Sequence, residues 1–482
     1  MVESGALPTV INTFLPLLVV FVAVAYVYFA GEYAGHEIVH HNKAFVHPPD
    51  RKLIDKYDLL QVMTEGLVTF LSPRRETSTY NLPKHPQDHD VINSPQDLAE
   101  TFHYFFEHGA AAERYVSNKT LFHQLVTAVR GFGEQHGSFW RFGGNAPHMG
   151  CRIQMEGHNV LLGAHVTKEL RDQFAAPLPV AGGLAPTSTE DSDDIHIILE
   201  SVSDELWGND TCPRANRLGS NGTGDADPND DVHSPYLRGI EEVEEEIDSG
   251  AFKPDALVLG AFQMMDGFPF PAEGERLQRL QRARQLIDEQ DPSVKVHVEL
   301  ASFANSEFMK ELYDTGMLTR VDSLGMNEQE LTTFTDWLSS LHVLRRNTTR
   351  KVTRIHVHTL AFQAVMIKTG AWNRTAEAMS KASLTAFRHV CGFATNEDID
   401  LNKGKVLLFD TFVDSEDEEL AQRRDVVKTR FHNGVVCWDD TRDSDSSEKV
   451  TMCLSPNIIC TDPVATIAAG DNISGAAVAV QI

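Results

Sequence analysis

The sequence predicts an α/β fold with a mainly parallel sheet covered by helices on both faces. Three observations point there. Short apolar runs recur from residue 195 to residue 409. Helix-period patterns follow several of them. The joints between run and helix carry polar residues, as expected where parallel strands end. The runs are Ile195–Leu199, Ala256–Leu259, Val294–Leu300, Ser323–Met326, Ile355–Val357 and Lys405–Phe409. After 256–259, Leu277, Leu280, Ala283 and Ile287 share one helical face, and the next strand opens at Val294 behind Asp291-Pro292. That is strand, helix, strand, the pattern of a right-handed parallel crossover. The alternation continues through Asn327 to a helical pattern at 376–390.

The chain has 482 residues, enough for one large domain or a large and a smaller one. At 42% hydrophobic and 23% charged it can build an ordinary core. A net charge of −27 excludes non-specific nucleic-acid binding, which needs basic surface. Acidic runs such as 241–248 and 414–419 read as solvated faces or loops.

Phe14 to Ala30 is uncharged and apolar, and reads as a signal peptide or signal anchor, the only expected membrane contact. Sequons at Asn118, Asn209, Asn221, Asn347, Asn373 and Asn472 agree with a secretory route. The expected location is the endoplasmic reticulum lumen, anchored or soluble, or outside the cell. The six cysteines show no zinc spacing, and a disulfide is compatible with that compartment, with no pairing fixed by sequence. The stretches 178–194 and 209–235 are rich in Gly, Pro, Asn and Asp and read as loops.

Four clusters can carry chemistry. His297-Val298-Glu299 ends a strand, with His297 and Glu299 on one face; a carboxylate in an apolar strand needs a partner or a metal, or reaches solvent. Asn327-Glu328-Gln329-Glu330 follows a strand and suits either Mg²⁺ ligation or a helix cap. Gly143-Gly144-Asn145 allows close backbone approach to a ligand, or is an ordinary turn. Ala468-Ala469-Gly470-Asp471 precedes a helical stretch from Ile473. Amides at a helix start favour an anion, and an Asp there can take a hydroxyl proton, or simply cap the helix.

Taken in order, these clusters resemble the ADP-dependent glucokinases, of the ADP-dependent sugar kinase family and ribokinase-like superfamily. Gly109-Ala110-Ala111-Ala112-Glu113-Arg114, Arg214-Ala215-Asn216-Arg217 and Ile355-His356-Val357-His358-Thr359-Leu360 resemble the animal members. The resemblance covers about residue 100 onward. It implies a ribokinase-like αβα core with a smaller lid over 99–482, after a signal segment at 1–31 and a linker with a divergent domain start at 32–98. It implies transfer of the β-phosphoryl of ADP to the 6-hydroxyl of glucose by a monomer. Asp471 would be the base, with Ala469 and Gly470 amides as the anion hole. Glu299, Glu330 and Asp471 would organise Mg²⁺, directly or through water. Glu113, Gly144, Asn145 and His196 would line the sugar site. Arg217, His358, Thr359 and Leu360 would meet the nucleotide. The alternatives are a phosphofructokinase-like specificity, or a silent membrane-tethered nucleotide- or sugar-binding protein. Two positions depart from the family: Ala468 replaces a glycine, and no strand ending in Asn-x-x-Asp or Asn-x-Asp lies between His47 and Asp97, where Leu59–Leu71 has neither motif.

Overall fold

A computed structural model describes residues 86–482, apart from 110–111, 133–141, 165, 175, 185–194, 202–205, 208–209, 214–215, 223–233, 261, 267, 269, 302–305, 332–351, 394–397, 407–433, 441–448, 462 and 464–467. The apolar segment at 14–30, the stretch Leu59–Leu71 and the sequons at Asn209 and Asn347 lie outside the described residues.

The smaller sheet begins with β1 (Val91–Ile92) and α1 (Pro95–His108). The helix starts where it does because Ser94 and Asp97 form a capping box, with Pro95 in the first turn. It stops at Gly109, in a left-handed conformation with φ 60°. The domain boundary expected at 98/99 thus falls inside this helix. β2 (Ala112–Val116) and α2 (Lys119–Phe132) follow, then α3 (Asn145–Met155), β3 (His196–Ser201) and β4 (Asn216–Gly222). The strand order is β1-β2-β4-β3. One face buries Ile92, Val116, Ile197, Leu199 and Leu218 with Phe102, Phe106 and Leu125 of α1 and α2.

β4 corrects the reading of 209–235 as a loop. Its Gly and Asn hide the strand signal, yet Gly219 has a packing reason. A Cβ there would meet Glu113 Cγ at 3.0 Å on the neighbouring strand.

The larger sheet is preceded by α4 (Gly239–Asp248). Then come β5 (Ala256–Leu259), α5 (Glu275–Glu289), β6 (Lys295–Glu299), α6 (Ser306–Asp314), β7 (Ser323–Asn327), β8 (Arg354–His358), β9 (Phe362–Lys368), α7 (Thr375–Cys391), β10 (Val436–Asp440), β11 (Val450–Pro456) and α8 (Ala469–Gln481). The order is β10-β11-β9-β8-β7-β6-β5. α5 and α6 cover one face through Leu280, Leu286, Phe308 and Leu312. α7 and α8 cover the other, meeting along Ala378, Ala382 and Ala386 against Ile473 and Ala477. Small side chains let the two helices approach closely.

The expected α/β fold with a parallel-rich sheet is present, its antiparallel extension was not expected, and two finer expectations are corrected. The sheet is parallel only from β5 to β8; β9, β11 and β10 add three antiparallel pairings. The β8–β9 turn uses Thr359, whose Oγ accepts from the amides of Ala361 and Phe362 at 3.2 and 3.1 Å, in place of the Gly or Asn that marks a turn in sequence. The run at 405–409 is not in this sheet: Gly404–Val406 pairs with Ile458–Cys460, and 407–409 lie outside the described residues. Leu277 is 40% exposed; the buried face of α5 is Leu280, Ala283, Leu286 and Ile287.

Two disulfides are formed. Cys391–Cys460 ties the end of α7 to the small ladder, and Cys437–Cys453 bridges opposed positions of β10 and β11. Cys151 and Cys212 are buried thiols.

Candidate active site

The carboxyl ends of the four parallel strands converge on the start of α8, the place where open α/β sheets bind ligands. β5 ends at Leu259, next to Gly260, β6 at Glu299, β7 at Asn327 and β8 at His358.

Glu299 is the hub. It is 2% exposed. Its Oε2 accepts from His297 Nε2 at 3.0 Å, and its Oε1 accepts from His358 Nε2 at 3.1 Å and Ser474 Oγ at 2.9 Å. Burial pushes its pKa up, but the bonds from His297 and His358 outweigh that and hold it at about 2. His358 moves the other way: burial lowers its pKa, while Glu299, Glu330 and Glu328 raise it further, so the net direction is up. Gly325 on β7 makes room, since a Cβ there would overlap Glu299 Oε2.

Asn327 and Glu330 clasp each other. Glu330 accepts from the Asn327 amide at 2.8 Å and from its Nδ2 at 2.9 Å, and the Glu330 amide donates back to Asn327 Oδ1 at 2.9 Å. This is a reciprocal cap at the start of a helical turn. Burial raises the Glu330 pKa to about 8, against the lowering pull of the Asn327 amide.

α8 brings Asp471 to the other side. Asn145 Nδ2 donates to Asp471 Oδ1 at 2.7 Å, and Gln263 Nε2 donates to Asn145 Oδ1 at 2.7 Å. Gly144, with φ 89°, starts α3 so that Asn145 points there, and Gly260 leaves it room, since a Cβ at Gly260 would lie 3.0 Å from the Asn145 Cβ. The first-turn amides of α8, at Ala469 and Gly470, belong to the set that no intrahelical carbonyl can satisfy. Gly470 has a steric reason: a Cβ would lie 2.6 Å from His358 Cε1. Ala468 sits at φ 61°, ψ 18°, where the family's glycine would rest without strain. Ala468→Gly should therefore stabilise the protein by about 1 kcal/mol. A chemical-denaturation midpoint that moves down would overturn this. Asn472, 8% exposed, donates its amide to the Ala468 carbonyl at 3.0 Å, so its sequon is structural in the folded chain.

Residues 57–480 match the family model described as the ADP-specific phosphofructokinase/glucokinase conserved region. The chain belongs to this family. It is thereby a phosphotransferase of the ADP-dependent sugar kinases. An ADP-dependent glucokinase of Bos taurus is 28% identical over 421 residues, covering 81% of this chain and 78% of that protein. A probable ADP-dependent glucokinase of Caenorhabditis elegans is 22% identical over 427 residues, covering 80% and 78%. An ADP-dependent kinase solved in complex with fructose-6-phosphate and ADPβS superposes with a TM-score of 0.57 at 18% identity, covering 81% of this chain and 89% of that one. An ancestral ADP-dependent phosphofructokinase of Methanosarcinales gives 0.51 at 18% identity, covering 81% and 85%. These two share the fold.

Within the kinase fold, the smaller sheet turns its second face toward the core. Tyr115 donates its hydroxyl to the Met264 carbonyl at 2.5 Å and meets the Phe268 ring edge-on. Strand register puts Glu113 and His196 on the Tyr115 side. Glu113 Oε2 is buried without a hydrogen-bond partner among the described residues. Arg217 pairs in register with Glu200 on β3. Thr359 and Leu360 form the β8–β9 turn, with Leu360 68% exposed. The sequence-predicted residues thus divide into an Asp471–Asn145 group, a Glu299–His358 group and a group on the Tyr115 face of the smaller sheet. Gly260, Gln263, Ser323, Gly325 and Ser474 were not legible as site residues.

Direct Mg²⁺ ligation does not fit this arrangement. The Glu299 oxygens already accept three hydrogen bonds, and the Glu330 carboxyl is clasped by Asn327. Among the described residues no three His, Cys, Asp or Glu side chains gather as a metal cage.

Proposed function

We propose that this chain transfers the β-phosphoryl of ADP to the 6-hydroxyl of glucose, giving glucose 6-phosphate and AMP. The placement of Asp471 in the first turn of α8, aimed by Asn145, carries the reading. The hydroxyl proton passes to the Asp471 carboxylate as the O6–phosphorus bond forms. The bond from the bridging oxygen to the β-phosphorus breaks, and AMP leaves with the electron pair. The Ala469 and Gly470 amides, at the positive end of the helix dipole, favour the charge on the transferring group. Glu113, with an oxygen awaiting a donor, and His196 would hold sugar hydroxyls from across the cleft, beside Gly144 and Asn145. Arg217 and the His358–Leu360 segment are assigned to the nucleotide. Mg²⁺ would enter with ADP, on its phosphates and through water, in keeping with its reluctance to dehydrate.

The relatives matched by sequence carry glucokinase names, which favours glucose over fructose 6-phosphate. The test supplies ADP, Mg²⁺ and either sugar to purified protein and measures AMP and sugar phosphate. Turnover with fructose 6-phosphate alone would replace the sugar assignment, and turnover with neither would overturn the reading. We place the protein in the secretory lumen; two disulfides and the apolar segment at 14–30 support this.

A further inference from the structure

The Glu299 network does not stop at His297. Ser323 Oγ lies 2.8 Å from His297 Nδ1, and Arg354 Nη1 donates to the same hydroxyl at 2.8 Å. Arg354 is 1% exposed. Its Nε donates to Gln481 Oε1 at 2.8 Å, its Nη2 lies 3.4 Å from His356 Nδ1, and its guanidinium stands 5.6 Å from the centre of the Trp372 ring. These partners are neutral groups, and a buried cation held that way is costly to keep.

A guanidinium can only donate, and an ionised carboxylate can only accept. Between these ends the protons have one consistent order. Glu299 takes the N–H at His297 Nε2, which leaves Nδ1 as an acceptor. Ser323 gives its hydroxyl proton to Nδ1, and its lone pair takes Arg354 Nη1. A second chain leaves Arg354 the other way. Nη2 donates to His356 Nδ1, so Nε2 carries the proton toward Gln363 Oε1 at 3.0 Å. Gln363 Nε2 donates to Asn457 Oδ1 at 3.2 Å, and Asn457 Nδ2 donates to the Thr359 carbonyl at 2.7 Å.

We propose that Arg354 is a positioning residue: one buried donor fixes the tautomers of His297 and His356, and so orients both Glu299 and the Thr359 turn. It touches neither substrate. It sets which way two hydrogen-bond chains run, one ending at the Glu299–His358 hub and the other at the turn assigned to the nucleotide.

The test uses the full chain with ¹⁵N-labelled histidine and long-range ¹H–¹⁵N spectra. In the wild type, His297 and His356 should both carry their proton on Nε2. Ser323→Ala should change the His297 signature alone and lower turnover about 10–100-fold, the usual size for a partner that orients a site ligand. Arg354→Lys, which keeps the charge but not the fork, should change both signatures. A wild-type His297 protonated on Nδ1 would overturn the proposal, as would wild-type spectra in Arg354→Lys. A changed His297 spectrum in Ser323→Ala with undiminished turnover would overturn the positioning role. The turnover arm rests on the proposed reaction and the spectra do not, so either can fail without the other.

Discussion

Asp471→Asn should lower turnover by about 10²–10⁴-fold, the range that a positioned base contributes. The substitution is nearly isosteric. Asn145 can still donate to the remaining carbonyl oxygen, which it now does to Asp471 Oδ1 at 2.7 Å. What is lost is the capacity to accept the hydroxyl proton. Binding of ADP, measured by calorimetry, should stay within a few-fold of wild type, because the α8 amides are unchanged. Turnover within ten-fold of wild type would remove Asp471 from the role of base. A collapse of ADP affinity would show that it serves the nucleotide instead.

The second large effect falls on Glu299. Glu299→Ala leaves His297, His358 and Ser474 pointing at a buried void. Breaking a buried charged cluster from one side costs about 3–5 kcal/mol, and the variant should unfold at a markedly lower temperature. The wild type adds a pH signature. Glu299 titrates near its ordinary value of 4.5 when unfolded and near 2 when folded. Its stabilisation is therefore present above pH 4.5 and is lost as the pH falls from there toward 2. Thermal melts of wild type and Glu299→Gln across that range should converge in acid. Parallel curves at all pH values would refute the depressed pKa.

How much of this was legible in sequence depends on distance along the chain. The strands at 256–259, 295–299, 323–327 and 354–358 were readable because each contains a short apolar run, several of them followed by helix-period patterns. Glu299 and Asn327 were readable because they stand at the ends of two of these strands, whereas His358 came only through the family resemblance. The antiparallel half of the sheet was not, because Thr359 turns the chain without Gly or Asn. β4 was missed because its glycine answers to a neighbour, Glu113, and not to a turn. Ser323 and Arg354 look ordinary at the start of their strands; only packing reveals that they face a histidine and not solvent. The Asn145–Asp471 bond joins residues 326 apart, beyond any local pattern.

That separation bears on biosynthesis. The site's elements leave the ribosome in the order Asn145, Glu299, His358 and Asp471, so the sheet can assemble before the carboxylate proposed as base exists as a residue. Until α8 docks, the alanine row of α7 and the donors around Glu299 lack a cover and Ser474. A chain paused there has a nearly finished core and lacks the carboxylate proposed as base. Docking of α8 supplies Asp471, Ser474 and the helix amides in one step, so activity should appear all at once and serve as a report that translation has passed the site and folding has closed.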